Sequence, residues 1–440
     1  MPPEWLPGAI VPVRESPALM IVGRLSVTAL GLASIPIIAH GLGPAGRGQT
    51  AAALAAFFLV PILVCVGLPY EVRRRVAADG EFSAVRTGRV LAALTVVPSA
   101  LVAAVLTTTV LGALPADAAL AAFVGVTAAP FAVSWMNDTA VLASRRRFGA
   151  VAIMQLAQPL VFVIALLGVW MLGALSVAAV LWCNLAGSLA TFVLGLVLNR
   201  VGPAGAYAPW RALLRGSLTF YGGVIADTAY RRMDQVIMLP ILGAHESGLY
   251  SVAVTIGGLP IFIAMAFAAS VFPDAAGASA EARQHLARSV ISAAAALGLL
   301  AAVGLAIAAP FVVLVLFGPA FTGAFAAVYV AIAASVLVTV NLTCSELLAA
   351  ANRGLRLTLA QSAALVSMVS LLLLLGPGLG ALGAAIGALC AAGVALALLL
   401  AALHCPPTVL LPRPRDLAWG LRRLVRGRSA DVPAEASAVV

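Results

Sequence analysis

The chain has 440 residues, of which 63% are hydrophobic and only 10% charged, with a mean hydropathy of +1.10. Soluble domains carry roughly 25% charged residues, so this composition excludes a soluble enzyme and leaves a polytopic membrane protein. The net charge is +10 and all 26 basic residues are arginine, but they punctuate apolar runs instead of gathering on one soluble face, as a nucleic-acid partner would require. The five cysteines form no CxxC pair and the four histidines lie far apart, so neither a disulfide framework nor a metal site is expected.

In chain order, residues 1–17 read as a proline-rich arm. No small-residue cleavage site follows a short apolar core, so the first apolar run is expected to be retained. Runs long enough to cross a bilayer then recur near 18–39, 49–70, 89–111, 119–143, 150–172, 176–198, 216–242, 249–273, 289–317, 324–351, 358–375 and 381–403. Arginines fall in alternate connections: Arg73, Arg74, Arg75, Arg86 and Arg89; Arg145, Arg146 and Arg147; Arg200, Arg211 and Arg215; Arg283 and Arg288; Arg353 and Arg356; and the tail from Arg413 to Arg428. The other connections hold only Arg47. By the positive-inside rule, this predicts twelve spans with both termini in the cytoplasm. No loop is long enough for a folded extramembrane domain. The LAWGLRRLVRGR segment of the tail suits either an amphipathic helix on the anionic inner leaflet or a disordered stretch that fixes topology.

Self-similarity appears at an offset near 200. Leu42-Gly43-Pro44-Ala45-Gly46-Arg47-Gly48 follows the first span, and Leu242-Gly243-Ala244-His245-Glu246-Ser247-Gly248 follows the seventh. Each precedes a small-residue helix with a proline, Pro61 or Pro260. Asp138 stands seven residues before Arg145, as Glu346 does before Arg353, at an offset of 208. The expectation is an all-α integral membrane protein of two pseudo-symmetric six-helix lobes. Each half has an even number of spans, so their axis of symmetry is normal to the membrane. The boundaries are an arm at 1–17, a lobe at 18–200, a cytoplasmic linker at 201–215, a second lobe at 216–403 and a basic tail at 404–440.

The chemistry concentrates between Thr219 and Gly248, where an apolar span carries Asp227, Arg231, Arg232 and Asp234 near its middle. Charges at that depth pair with one another or line a cavity or pathway. Asp227, Arg231 and Asp234 share one helix face by spacing, which fits an internally neutralised lock between helices or a binding site. Arg24, in the first span, is placed either to snorkel to the interface or to face the same central cavity as Arg231 and Arg232. Guanidinium forks suit phosphate, so such a cavity points to an anionic cargo, pyrophosphate first. Asp227 and Asp234 are then counter-ions or sites of proton or sodium coupling. Asp138 with Arg145 and Glu346 with Arg353 read as end-of-helix ion pairs or as an inner gate. Mid-span prolines (Pro36, Pro61, Pro98, Pro130, Pro159, Pro240, Pro260, Pro310) permit kinks, and Gly376, Gly380, Gly383 and Gly387 predict close helix packing. No phosphate-binding glycine loop, nucleophile elbow or HExxH motif occurs, so no ATPase or other cofactor is expected.

The arginine in span one, LGPAGRG after it, and YRRMDQVIMLPILGAHESGLYSVA in span seven resemble bacterial polysaccharide flippases of the multidrug/oligosaccharidyl-lipid/polysaccharide (MOP) exporter superfamily. The family segment is R-x-D-x-hydrophobic followed by LG-x4-G-x-Y, matched here by Arg232, Asp234, Leu242, Gly243, Gly248 and Tyr250. The resemblance implies a MATE-like fold in the bacterial inner membrane. It also implies alternating-access transfer of an undecaprenyl-pyrophosphate-linked oligosaccharide to the outer leaflet, with glycosyltransferases or a polymerase of the same route as partners. Twelve spans favour the O-antigen or exopolysaccharide branch over the fourteen-span lipid II branch. The rival readings are a multidrug or cation antiporter of the same superfamily, and a membrane glycosyltransferase or polymerase. The antiporter would want acids and aromatics in its cavity, and the enzyme a long extracytoplasmic loop.

Overall fold

The computed structural model describes residues 18–79, 82–411 and 413–426. The expected arm at 1–17, the end of the basic tail and the side chain of Arg24 lie outside the described residues. The described backbone is helical, without a strand: α1 (Ala18–Val64), α2 (Leu68–Asp79), α3 (Phe82–Leu94), α4 (Val96–Thr108), α5 (Ala116–Thr127), α6 (Ala129–Ser144), α7 (Phe148–Met171), α8 (Val177–Asn199), α9 (Trp210–Gly257), α10 (Ile261–Gly277), α11 (Ala280–Val312), α12 (Phe325–Ala350), α13 (Gly354–Leu403) and α14 (Pro414–Arg426). Hydrocarbon offers no hydrogen bonds, so a spanning chain without a barrel must satisfy its backbone inside helices. Many large apolar side chains point outward, among them Leu172 (83% exposed) and Ile307 (78%), as lipid-facing surfaces require.

Eight helical runs among the described residues are long and apolar enough to cross a membrane, or nine if the bent pair α5–α6 is one span. Twelve were expected; three of the long helices carry internal breaks. Residues Gly43, Gly243 and Gly380 interrupt α1, α9 and α13 with non-helical backbone at φ of 64°, 76° and 57°. Only glycine adopts that region freely. Unbroken, the 47 residues of α1 would measure about 70 Å, against ~30 Å of hydrocarbon. Two of the three demonstrably fold back. Tyr250 donates to Asp234 across the α9 break at 2.6 Å, although 16 residues of straight helix would separate them by about 24 Å. In α13 a Cβ on Gly383 would sit 2.7 Å from the carbonyl carbon of Leu375 and one on Gly387 3.3 Å from the Leu371 Cβ, so these two glycines pack the two arms against each other.

Prolines mark several further breaks. Pro98 and Pro130 follow the α3–α4 and α5–α6 junctions, Pro260 caps α10, and Pro310 precedes a π-helical turn at Val313–Phe317. Each lacks the N–H that would continue the ladder.

Contacts divide the chain into two compact units, Met1–Gly41 with Ala56–Tyr221, and Leu42–Ala55 with Gly222–Val440. The core of the first unit joins α1, α2, α3 and α6 through Ala56, Val60, Val72, Val85 and Val133. Beside it, Glu71 is buried under Arg74 and Arg75, whose guanidinium nitrogens donate to it at 2.7 and 2.8 Å. The core of the second unit is alanine-rich, with Ala287, Ala293 and Ala294 on α11 packed against α12, α13 and α14. Small residues let helix backbones approach closely where lipid supplies no hydrophobic drive.

The tail helix α14 belongs to this core. Trp419 meets Phe267 edge to face at 6.2 Å, and Arg423 donates to the Ser270 carbonyl at 2.9 Å and pairs with Asp274. Up to Arg426 the basic segment is therefore a docked helix, with Arg413, Arg415 and Arg422 on its exposed side.

The repeat seen in the sequence is written into the backbone. Among the described residues, four of the five non-glycine residues with positive φ pair as Arg146 (56°) with Asn352 (54°), and Arg200 (48°) with His404 (56°). Arg147 donates to the Leu198 carbonyl at 3.0 Å, and Arg353 to the Ala402 carbonyl at 3.0 Å. Within the second unit the two LGxxxxG segments touch. A Cβ on Gly48 would lie 2.6 Å from the Gly248 nitrogen, and one on Gly248 would run into the Pro44 carbonyl. Both obstacles are backbone and cannot yield cheaply. Gly248→Ala is accordingly expected to destabilise the protein by about 1–3 kcal/mol, read as a lowered thermal midpoint in detergent, whereas Gly168→Ala, which has open space around it, should leave the midpoint unchanged.

Candidate functional site: a charged cluster in the middle of α9

The first arm of α9 carries four charges that an apolar helix would ordinarily exclude. Asp227 and Arg231 stand one turn apart, and the Arg231 Nε donates to Asp227 Oδ1 at 2.9 Å. Gln361, from the first arm of α13, donates its Nε2 to the same oxygen at 2.8 Å. Glu346 on α12 is half-buried, within electrostatic reach of both Arg231 and Asp227. Three helices of the second unit thus converge on one acid–base pair.

The pair is not sealed. Its side chains remain 32% (Arg231) and 40% (Asp227) exposed. A charge in the middle of a membrane helix does not face lipid, so this exposure is to a water-accessible space. Arg231 spends only its Nε on Asp227, and its two terminal nitrogens have no hydrogen-bond partner among the described residues. A guanidinium held through Nε presents its remaining N–H groups as a fork of fixed direction, which matches carboxylate or phosphate oxygens. Arg232, next in sequence, reaches Gln235 Oε1 at 3.4 Å.

Asp234 differs. It is buried, and Tyr250 donates to its Oδ2 at 2.6 Å. The two motif residues Asp234 and Tyr250 therefore clamp the hairpin at Gly243, and Asp234 is buried where Asp227 and Arg231 are accessible.

The expected gate pairs do not form. Asp138 is fully buried and accepts from Arg89 Nη2 at 2.8 Å and from Asn199 Nδ2 at 2.9 Å. Arg145, two turns further on where α6 ends, lies over the Phe82 ring at 4.2 Å. Glu346 turns toward Arg231 and Asp227, while Arg353 binds the Ala402 carbonyl. Arg24 lies within α1, and its side chain is outside the described residues.

Sequence reasoning missed Gln361, Arg89 and Asn199. Gln361 had one usable signal, a glutamine at the repeat-equivalent position of α7. Gln155 sits against Gly23, with a Cβ there 3.5 Å from its Oε1, much as Gln361 sits against Asp227. Arg89 and Asn199 are distant in sequence from Asp138, and only the packing of α3, α6 and α8 joins them.

The structural role of Asp234 is open to test. Tyr250→Phe leaves a buried carboxylate oxygen unpaired and should destabilise the protein by roughly 1–3 kcal/mol. Asp234→Asn in that background should recover part of the loss in the thermal midpoint. Normal stability with lost transport in Tyr250→Phe would instead place Asp234 in the transport machinery.

The chain is similar in fold to solved structures of a flippase and of transporters. The chain superposes on the lipid II flippase MurJ in its inward closed conformation with a TM-score of 0.72 at 12% identity, covering 96% of this chain and 95% of that one. It matches an inward-facing MATE multidrug resistance transporter of the MOP superfamily at 0.62 and 15% identity, over 93% and 99% of the two chains. A MOP superfamily transporter from Pyrococcus furiosus matches at 0.56 and 15% identity, over 94% and 95%. No curated protein matches the sequence. The model of the family described as polysaccharide biosynthesis protein matches residues 14–276, more than half of the chain. A multi-pass helical membrane protein with the fold of the MOP exporters, the chain belongs to the polysaccharide biosynthesis protein family.

Proposed function

We propose that the protein is an alternating-access flippase that moves an undecaprenyl-pyrophosphate-linked oligosaccharide from the inner to the outer leaflet of the bacterial inner membrane, for cell-surface polysaccharide synthesis. The observation that carries this reading is the open fork of Arg231, held by Asp227 and Gln361 in an accessible space at mid-span. A pyrophosphate offers the oxygens that this fork matches, and Arg232 adds a second cation beside it. The oligosaccharide travels with the headgroup, while the polyprenyl chain needs only lipid. Family membership supports the substrate class, and the flippase MurJ shares the fold. In this reading both termini face the cytoplasm, as the arginine distribution requires, and the glycosyltransferases or polymerase that make and use the cargo are neighbouring partners.

In this mechanism Asp227 acts as a resident counter-ion. Without cargo, Arg231 has Asp227, the nearby Glu346 and water to offset its charge. Arriving phosphate oxygens take the terminal nitrogens without displacing the Nε bond, so the helix pays little reorganisation when it binds. Asp227 is also the better candidate for proton or sodium coupling, because it is accessible and Asp234 is not.

A cation antiporter is the second reading, favoured by the 40% exposure of Asp227 and by the MATE transporters that share the fold. Proteoliposomes carrying a fluorescent undecaprenyl-pyrophosphate oligosaccharide separate the two. Protein-dependent exposure of the label to an external quencher is expected. Arg231→Ala should reduce it at least ten-fold and Arg231→Lys nearly as much, because an ammonium cannot reproduce the fork. Gln361→Leu should give a smaller loss. Export of cationic dyes with no movement of the labelled lipid would decide for the antiporter. Asp227→Asn is expected to abolish the response of the rate to an imposed proton or sodium gradient, and an unchanged response removes Asp227 from coupling.

A further inference from the structure

A basic cavity lies in the first unit. It is a half-open space of about 620 Å³ between the C-terminal half of α3, the end of α8 and the following loop. Three arginines, Arg86, Arg89 and Arg200, line one end together with Tyr207, and Val90, Ala93 and Leu196 line the other.

The arginines differ in how far their charge is spent. Arg89 is paired with Asp138 at 2.8 Å, so it contributes donors but little net charge. Arg86 donates to the Gly202 and Ala206 carbonyls at 2.9 and 3.2 Å, neutral partners that tie it in place and leave its charge uncompensated. Arg200 ends α8 in a left-handed conformation, and its guanidinium has no partner among the described residues. No acid lines the cavity. Two net positive charges thus converge on a space of headgroup size.

The apolar end continues into the lipid-facing surface. Val90 (47% exposed), Leu94 (63%), Val97 (63%) and Leu101 (66%) follow one another at spacings of four, three and four residues, forming one stripe that runs from the arginines along α3 and α4. A ligand that fills both ends must be anionic at the head and apolar along its length. Arginine distribution places this end of the helices at the cytoplasmic interface, where the anionic lipids of the inner leaflet present such molecules.

We infer that this cavity is a binding site for an anionic phospholipid of the inner leaflet, whose phosphate sits between Arg86 and Arg200 while its acyl chains lie along Val90, Leu94 and Val97. The site is independent of the transport reading, since none of its residues belongs to the α9 cluster. Guanidinium groups supply the bidentate contacts that phosphate accepts, and Tyr207 offers its ring as a wall beside them.

Native mass spectrometry of the purified full chain in neutral detergent tests the site, with phosphatidylglycerol and phosphatidylcholine of identical chains. Phosphatidylglycerol should bind at least five-fold more tightly, and Arg200→Gln should remove most of that preference, at about five-fold per lost arginine. Arg200→Lys should keep part of it. Arg211→Gln, which removes an exposed arginine outside the cavity, should leave it intact and controls for general charge. Equal binding of the two lipids, or equal loss in Arg200→Gln and Arg211→Gln, overturns the proposal. Displacement of phosphatidylglycerol by millimolar inorganic phosphate also overturns it, because the site would then read phosphate alone and not a lipid.

Discussion

Ionised groups inside a hydrocarbon layer must find partners within the protein, and the second unit is arranged around how Asp227 and Arg231 meet that requirement. A carboxylate at mid-span accepts from an arginine one turn away and from a glutamine on α13. Two donors on one oxygen hold the carboxylate, and the carboxylate in turn holds the guanidinium by its Nε. The result is a cation whose position is fixed while most of its donors remain available. Such an arrangement is preorganised for an anion, because the cost of orienting the receptor is met when the protein folds.

The hairpin at Gly243 supports this geometry from behind. Tyr250 and Asp234 bridge the break, and Gly48 and Gly248 bring the two LGxxxxG segments into backbone contact. Conformation and proximity place different demands on these glycines. Gly43 and Gly243 supply positive φ, while Gly48 and Gly248 have no room for a side chain. The same short motif therefore carries a turn and a contact surface, and both copies use it in the same way.

Charge placement separates structural from functional groups more sharply than sequence position does. Asp138 and Asp234 are buried, each with one carboxylate oxygen held by neighbours, whereas Asp227 remains open to solvent. Arg89 is neutralised, while Arg200 is not. Residues of one type thus divide into those that close the fold and those left to meet a ligand. The docked α14 makes the same distinction in the tail, with Arg423 turned inward to Asp274 and other arginines outward.

The sequence alone determined the membrane class, the helical fold, the repeat and the existence of a charged cluster in span seven. Hydropathy, arginine spacing and an i, i+4 acid–base pair are local or additive properties, readable without knowing what packs against what. The Asp227–Arg231 pair was legible for that reason, and the glycine turns were legible as a recurrent motif. Tertiary structure alone decided the remaining partners. Asp138 could have chosen Arg145 by sequence distance, but the crossing of α3 and α8 over α6 brought Arg89 and Asn199 to it. Gln361 lies 134 residues from Asp227 and carries no charge, so beyond its repeat counterpart Gln155 nothing in the sequence ties it to that acid. Asp234 and Tyr250 share a motif, yet only the fold-back at Gly243 turns their spacing into a hydrogen bond. Long-range pairing depends on where helices cross, and that is set by the summed packing of many small residues, which no single stretch of the chain encodes.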